Sequence, residues 1–305
     1  MENINIDNKP INNEEQEIIK ENTKFDEKDT EEQEIKKKLN DLLSKIECFD
    51  QSKWEKVHDQ LNSGMIGTCL TSKDCYRIGF IKVLIDKAKE SNIHFAKDGN
   101  NFYIYNNQYW IKISEDLLKS FLHMAAQKMG IPIGLSSCVK FIKSTYEQLI
   151  ESGFFEKMIQ DNVTYLNVLN GTIKIDLDGV NLRDFDSKHF LTHQLDFEYD
   201  KNRVNQVWLD FLNKVLPDKD TQKTLQQAIG YLFIKDLKLE KVIFLYGIGS
   251  NGKSVIFEII KGILSVDMMT NYSLASLTNH LGYQLADLNN KLINYGTDIS
   301  MKNVD

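Results

Sequence analysis

The sequence predicts an α/β fold in which a mixed α+β region precedes a C-terminal α/β core. Three patterns support this prediction: short strands separated by tight turns in the middle of the chain, helical periodicity over residues 202–235, and an apolar run at 242–246 that leads through a glycine-rich turn into a helix. With 305 residues, the chain is long enough for two domains of ordinary size.

Charge marks the first boundary along the chain. Residues 1–40 contain 12 acidic and 7 basic residues, and the whole chain carries a formal net charge of −7. Residues 1–38 have few branched apolar side chains, so they cannot bury enough surface to offset the entropy that ordering would cost. We therefore predict a disordered acidic tail at 1–38, followed by a short helix near 34–47. A solvated tail is favoured, and binding of replication partners through it is the alternative.

Composition excludes several classes of protein. Beyond residue 40 the charge is close to balanced, unlike that of a chain that coats nucleic acid with a basic surface. No apolar stretch approaches the roughly 20 residues that span a bilayer. The four cysteines form no C-x-x-C pair. We expect a cytoplasmic protein without a membrane segment, a disulfide or a structural zinc ion.

An α+β domain is predicted over residues 39–200, and a β-hairpin is its first clear feature. Residues 102–105 and 109–113 are aromatic and β-branched, and Asn106–Asn107 between them is typical of a turn. The aromatic side chains could stack on bases, but packing within a small sheet is favoured.

Helices and a small β-meander complete this domain. Helices are predicted at 115–129 and 137–160 from their apolar periodicity. Residues 164–185 contain turns at Asn170–Gly171 and Asp178–Gly179, which predicts a meander of three strands.

A helical segment at 201–236 is predicted to connect this domain to a core at 237–305. Trp208, Phe211 and Val215 recur at helical spacing within it. The run is expected to break at Pro217–Asp218 and then to resume.

The motif that carries chemistry is Gly247–Ser254, which reads GIGSNGKS and fits G-x-x-x-x-G-K-[ST]. A strand buried on both faces is predicted before it, at 242–246, and a helix after it, at 255–264. Glycines let backbone N–H groups approach phosphate oxygens closely. The N-terminus of the following helix adds partial positive charge at the same point.

Individual side chains of this motif suit a nucleoside triphosphate. Lys253 supplies a charge for the β- and γ-phosphates, and the Ser254 hydroxyl is suited to coordinating Mg²⁺. Asn251, at the tip of the loop, is a weaker candidate for facing the γ-phosphate. The predicted cofactors are ATP and Mg²⁺, and the predicted nucleotide-binding residues are Gly247, Gly249, Ser250, Asn251, Gly252, Lys253, Ser254 and Val255.

Such a loop needs an acidic partner that holds Mg²⁺ and polarises water. Residues 292–297 can form a strand, and Asp298 follows at its carboxyl end, where ligands bind in open α/β sheets. Asp287 is the alternative, but it lies in a polar stretch with helical character. We predict Lys253 and Asp298 as catalytic residues, with Ser254 and Asp298 as the Mg²⁺ ligands.

Residues 244–254, FLYGIGSNGKS, resemble the nucleotide-binding loop of superfamily 3 helicases, in particular the phage and plasmid primase–helicases related to the poxvirus enzyme. Residues 167–200 and 207–247 are similar to the segments that precede the ATPase in this family. The resemblance implies a P-loop NTPase core of AAA+-like fold, self-assembly into a ring, and ATP-driven translocation on single-stranded DNA during replication of a mobile element. Asp298 falls near the family's Walker B acid, which is more often Glu.

The family's DNA-contacting hairpin, sensor Asn and arginine finger have no counterpart up to residue 305. The resemblance therefore implies a C-terminally truncated chain with an incomplete ATPase domain, which binds ATP but hydrolyses it poorly. Two alternatives stay open. One is a non-enzymatic replication module that assembles with other subunits, and the other is a different P-loop enzyme such as a small-molecule kinase. The absence of Arg from residues 265–290 counts against the kinase.

Overall fold

The structure, a computed structural model, shows two compact units, residues 1–159 and 160–305. The described residues are 30–63, 70–99, 101–152, 155–157, 163–234, 243–247, 251–264, 268–278, 283–288 and 291–296. Within these ranges, no helix is both long enough and apolar enough to cross a membrane.

Six helices are described in the first unit. They are α1 (30–44), α2 (Gln51–Asn62), α3 (Ser72–Glu90), α4 (Glu115–Lys128), α5 (Ile133–Ser136) and α6 (Val139–Glu151). Side-chain caps fix the starts of several of them; the Ser114 hydroxyl, for example, accepts from the Leu117 amide before α4.

Helix α1 corrects the predicted extent of the acidic tail. The helix begins at residue 30, so the boundary placed at residue 38 lies inside it. The reason is an apolar stripe at helical spacing: Ile35, Leu39 and Leu42 are all buried in the core of the unit. Burial of this stripe offsets the ordering entropy that the charged composition alone had suggested was too large. Residues 1–29 lie outside the described part.

The first unit also contains a four-stranded sheet in the order β3-β2-β1-β4. Its strands are β1 (Phe95–Asp98), β2 (Asn101–Tyr105), β3 (Trp110–Ile113) and β4 (Glu156–Lys157). The predicted hairpin is confirmed, because β2 and β3 pair antiparallel with Tyr105 opposite Trp110. The Asn106 side chain closes the turn by accepting from the Tyr109 amide. Strand β4 pairs with β1 where helix 137–160 was predicted to continue; α6 ends at Glu151.

The predicted β-meander is confirmed in the second unit. Its strands are β5 (Thr164–Val168), β6 (Gly171–Asp176) and β7 (Gly179–Arg183), and β8 (Gln194–Leu195) joins β5 in parallel. The sheet order is β7-β6-β5-β8. Gly171 has a φ of 148°, and a Cβ there would lie 2.5 Å from the Arg183 carbonyl oxygen, so the turn requires glycine.

The rest of the second unit is mostly helical. They are α7 (Gln206–Val215), α8 (Lys219–Tyr231), α9 (Lys253–Ile263), α10 (Leu274–Leu277) and α11 (Tyr283–Asp287), with short strands β9 (Met269–Thr270) and β10 (Ile293–Asn294). The break at Pro217–Asp218 is confirmed, and the Asp218 carboxylate caps α8 by accepting from the Thr221 amide at 2.7 Å. A single apolar cluster joins α7, α8 and α9 through Leu212, Leu225 and Ile256.

Candidate nucleotide-binding loop

The C-terminal side of the glycine-rich motif is a sharp turn into α9. Gly252 lies just before the helix with a φ of 85°, in the left-handed region that favours glycine. A Cβ at this position would lie 2.8 Å from the Phe211 ring and 3.0 Å from Val215. Helix α7 therefore packs directly under the turn, and no larger residue than glycine fits there without movement.

Gly247 and Asn251 meet across the motif. A Cβ built on Gly247 would overlap the side-chain amide of Asn251. The glycine at residue 247 therefore leaves room for the Asn251 amide. Gly249 and Ser250, two of the predicted binding residues, lie outside the described part of the chain.

The Lys253 ammonium points back into the loop. It donates to the Gly247 carbonyl oxygen at 2.8 Å and to Asn251 Oδ1 at 2.8 Å. The structure thus brings together three of the predicted residues, Gly247, Asn251 and Lys253. The sequence prediction had placed the Asn251 side chain toward a phosphate, whereas here it accepts from the lysine.

The start of α9 has the properties of an anion site. Its N-cap residue is Gly252, which has no side chain to accept from the first backbone N–H groups. The helix dipole adds partial positive charge at this end. Ser254 and Val255 are exposed on the first turn, while Ile256 and Ile260 anchor the helix in the core. The predicted helix after the motif is confirmed.

The segment before the motif differs from its prediction. Of the strand predicted at 242–246, residues 243–246 are described and form neither helix nor strand. Ile243 is 54% exposed, Phe244 68% and Tyr246 99%. A strand buried on both faces needs neighbours in a sheet and layers above and below it. The described residues supply no such neighbour to 243–246, so these apolar side chains remain exposed.

A short parallel pair of strands follows α9. Strand β10 pairs with β9, with Ile293 opposite Met269, whereas a longer strand was predicted at 292–297. The Asn294 side chain ends the pairing by accepting from the Tyr272 amide at 2.8 Å and donating to the Tyr272 carbonyl at 3.0 Å. These two bonds from Asn294 fix the register of the short strand pair.

The ring of Tyr295 ties this strand pair to α9. Phe257 and Tyr295 stack with ring centroids 4.1 Å apart. Asp298, the predicted Mg²⁺ ligand, and Thr297 lie outside the described residues. No group of three or more His, Cys, Asp or Glu side chains within the described ranges has the arrangement of a metal site.

Asp287, the alternative acidic residue, has a different partner. It ends α11 and accepts a hydrogen bond from the Tyr272 hydroxyl at 2.8 Å. This hydrogen bond raises the pKa of Tyr272 above its ordinary value. The carboxylate therefore has a local bond that accounts for its position.

The sequence did not predict the packing of α7 against the turn at Gly252. The periodicity of α7 predicts which face is buried, but it carries no information that Phe211 and Val215 contact Gly252 rather than another helix. The contact between Asn251 and Lys253 was also missed, because it depends on how the loop folds back.

Comparison with known proteins gives one family match. Residues 82–217 match the family model described as D5 N terminal like, and a search of curated proteins found no match. This domain is found in phage and plasmid primase–helicase proteins, so the match supports a relation to that family and a role connected with DNA replication. The matched region runs from α3 to just beyond α7 and ends before the glycine-rich motif.

Proposed function

We propose that the chain is an ATP-binding DNA helicase of the superfamily 3 type, acting in the replication of a phage, plasmid or other mobile element. The observation that carries this proposal is the Lys253 ammonium held inside a loop whose two ends are Gly247 and Gly252. The family match over residues 82–217 adds the replication context.

In this proposal the triphosphate binds at the start of α9. The N–H groups of the first turn, which follow a glycine N-cap, and the Lys253 ammonium supply positive charge on one side of the loop. Binding there forms charge-assisted hydrogen bonds, which are stronger than those that a neutral ligand would make. The glycines admit the phosphates close to the backbone.

Mg²⁺ and catalysis are assigned to two further residues. The Ser254 hydroxyl, exposed on the first turn of α9, is proposed as one Mg²⁺ ligand. Asp298 is proposed as the second ligand and as the group that polarises the attacking water. Mg²⁺ would neutralise charge on the β- and γ-phosphates while Lys253 contacts the same oxygens.

The proposed partners are single-stranded DNA and further copies of the chain in a ring. They rest on the resemblance of the loop and its preceding segments to superfamily 3 helicases. ATP binding at the loop would be coupled to translocation through such an assembly.

The test is a calorimetric titration of the full chain with Mg·ATP. We expect saturable binding that falls roughly 10- to 100-fold in Lys253→Ala, because a charge-assisted contact to phosphate is lost. Lys261→Ala is the matched control: this lysine lies on the same helix and pairs with Glu258 at 3.2 Å. Ser254→Ala should reduce the dependence of affinity on Mg²⁺. Equal binding by wild type and Lys253→Ala, or none by wild type, would contradict the proposal.

One observation favours a second candidate, a non-enzymatic replication module. Ile243, Phe244 and Tyr246 are exposed, as expected for residues that assembly with another subunit would cover. This candidate predicts that Lys253→Ala leaves subunit association unchanged, which analytical ultracentrifugation with and without Mg·ATP would measure.

A further inference from the structure

We propose that Asn251 is a positioning residue, whose side-chain amide holds the Lys253 ammonium inside the loop before a phosphate arrives. The inference deepens the proposed function and rests on it for the identity of the ligand. It assigns to Asn251 the alignment of the lysine rather than direct contact with the γ-phosphate.

The contacts of Lys253 carry the inference. Its Nζ lies 2.8 Å from Asn251 Oδ1 and 2.8 Å from the Gly247 carbonyl oxygen. Both acceptors are neutral, and no carboxylate among the described residues pairs with this ammonium. The charge is therefore held in place without being neutralised, which leaves its attraction for an anion intact.

The number of donors on the ammonium permits both roles at once. A lysine side chain has three N–H donors, and two are taken by Asn251 and Gly247. The third can reach a phosphate oxygen while the other two bonds persist. Because a free lysine loses much rotamer entropy when it is immobilised, holding it beforehand lowers the cost of binding.

Gly247 and Asn251 are a matched pair in this arrangement. A side chain at residue 247 would occupy the space of the Asn251 amide, so the glycine is what lets the amide reach the lysine. An aspartate at residue 251 would keep the acceptor but add a negative charge, which attracts Lys253 and repels a phosphate. Substitutions at residue 251 can therefore separate the hydrogen-bond acceptor from the absence of negative charge.

The first measurement needs no nucleotide. The full chain is acetylated with a limiting amine-reactive reagent, and the rates at individual lysines are measured by mass spectrometry. Asn251→Ala should raise the rate at Lys253 about three- to tenfold, while Lys261 stays unchanged as an internal reference. Asn251→Asp should return the rate to the wild-type value or below. An unchanged Lys253 rate in Asn251→Ala would overturn the inference.

The second measurement is the affinity for Mg·ATP. Asn251→Ala should weaken binding about three- to tenfold, and Asn251→Asp should weaken it further although it restores the protection of Lys253. If Asn251 has only a structural role, both substitutions should raise the Lys253 acetylation rate, lower the affinity for Mg·ATP and change the circular dichroism spectrum. That result would overturn the positioning role. Wild-type affinity in Asn251→Ala would overturn the positioning role. If the acetylation pattern holds but the wild-type chain binds no Mg·ATP, the contact stands and the nucleotide proposal falls.

Discussion

Residues 101–105 and 243–246 have similar sequences, NFYIY and IFLY, but very different surroundings. The first forms β2, which lies between β3 and β1, and its Ile104 side chain is completely buried. The second forms no strand in the described structure and exposes most of its apolar surface.

The difference lies in the distance along the chain to a partner strand. Strand β2 finds β3 after a turn of a few residues, because antiparallel neighbours need only a hairpin. A strand that pairs in parallel, in contrast, reaches its neighbour only through a crossover of a dozen residues or more. In the second unit the described parallel pairs are β5 with β8 and β9 with β10, and each matches two residues per strand. Apolar character predicts a strand, and the availability of partners decides whether it forms.

The largest effect expected from this comparison comes from one substitution made in both segments. Ile104→Ala should lower the free energy of unfolding by about 2–5 kcal/mol, since it leaves a cavity in the core. Ile243→Ala should change it by less than about 0.5 kcal/mol, because that side chain is 54% exposed. Urea denaturation followed by circular dichroism measures both. Similar losses in the two variants would show that 243–246 is packed in solution.

Two glycines, Gly252 just before α9 and Gly262 in its last turn, test whether the turn into α9 is ordered although residues 243–246 before it form no strand. Gly252→Ala should destabilise the protein by about 1–3 kcal/mol, because residue 252 has a φ of 85° and faces Phe211. Gly262→Ala is the control: its Cβ meets nothing within 4 Å, and alanine in the helix should stabilise by about 0.5–1 kcal/mol. Thermal melts of both variants give the comparison. A neutral Gly252→Ala would mean that the turn is not fixed.

The smallest effect concerns Asp218, the residue that caps the start of α8. The Thr221 hydroxyl and amide hydrogen bonds hold the pKa of Asp218 below its ordinary value. A lowered folded-state pKa stabilises the fold above the unfolded pKa of about 3.9, and this contribution is lost as the pH falls through the folded value. Asp218→Asn should therefore lower the urea midpoint slightly at pH 7, and the difference should shrink as the pH is lowered below about 3.9. A pH-independent difference would argue against the charged cap.

Local patterns were enough for elements whose partners are near in sequence. The hairpin, the three-strand meander and the break at Pro217–Asp218 follow from turn residues and periodicity. The acidic tail was predicted to extend to residue 38 because composition was averaged over a charged segment, although Ile35 belongs to a regular apolar stripe. Local sequence patterns indicate the secondary structure that a segment prefers, and they contain little information about contacts with residues far away in the sequence.

The candidate site divides in the same way. The glycine-rich motif predicts a helix after it, and the structure confirms this helix as α9, which begins at Lys253. The packing of Phe211 under the turn and the bond between Asn251 and Lys253 depend on tertiary placement. Sequence spacing alone does not determine either contact. Asp298 stays a prediction from its place after a strand-like run.

Hydrogen exchange with and without Mg·ATP tests the central claim most directly, because it reports on the backbone amides that are proposed to hold the phosphates. We predict slower exchange in peptides that cover 247–256 and unchanged exchange in β2 and β3 of the first unit. In Lys253→Ala the slowing should disappear at the same nucleotide concentration. Unchanged exchange at 247–256 under saturating Mg·ATP, or slowing confined to other parts of the chain, would contradict the account.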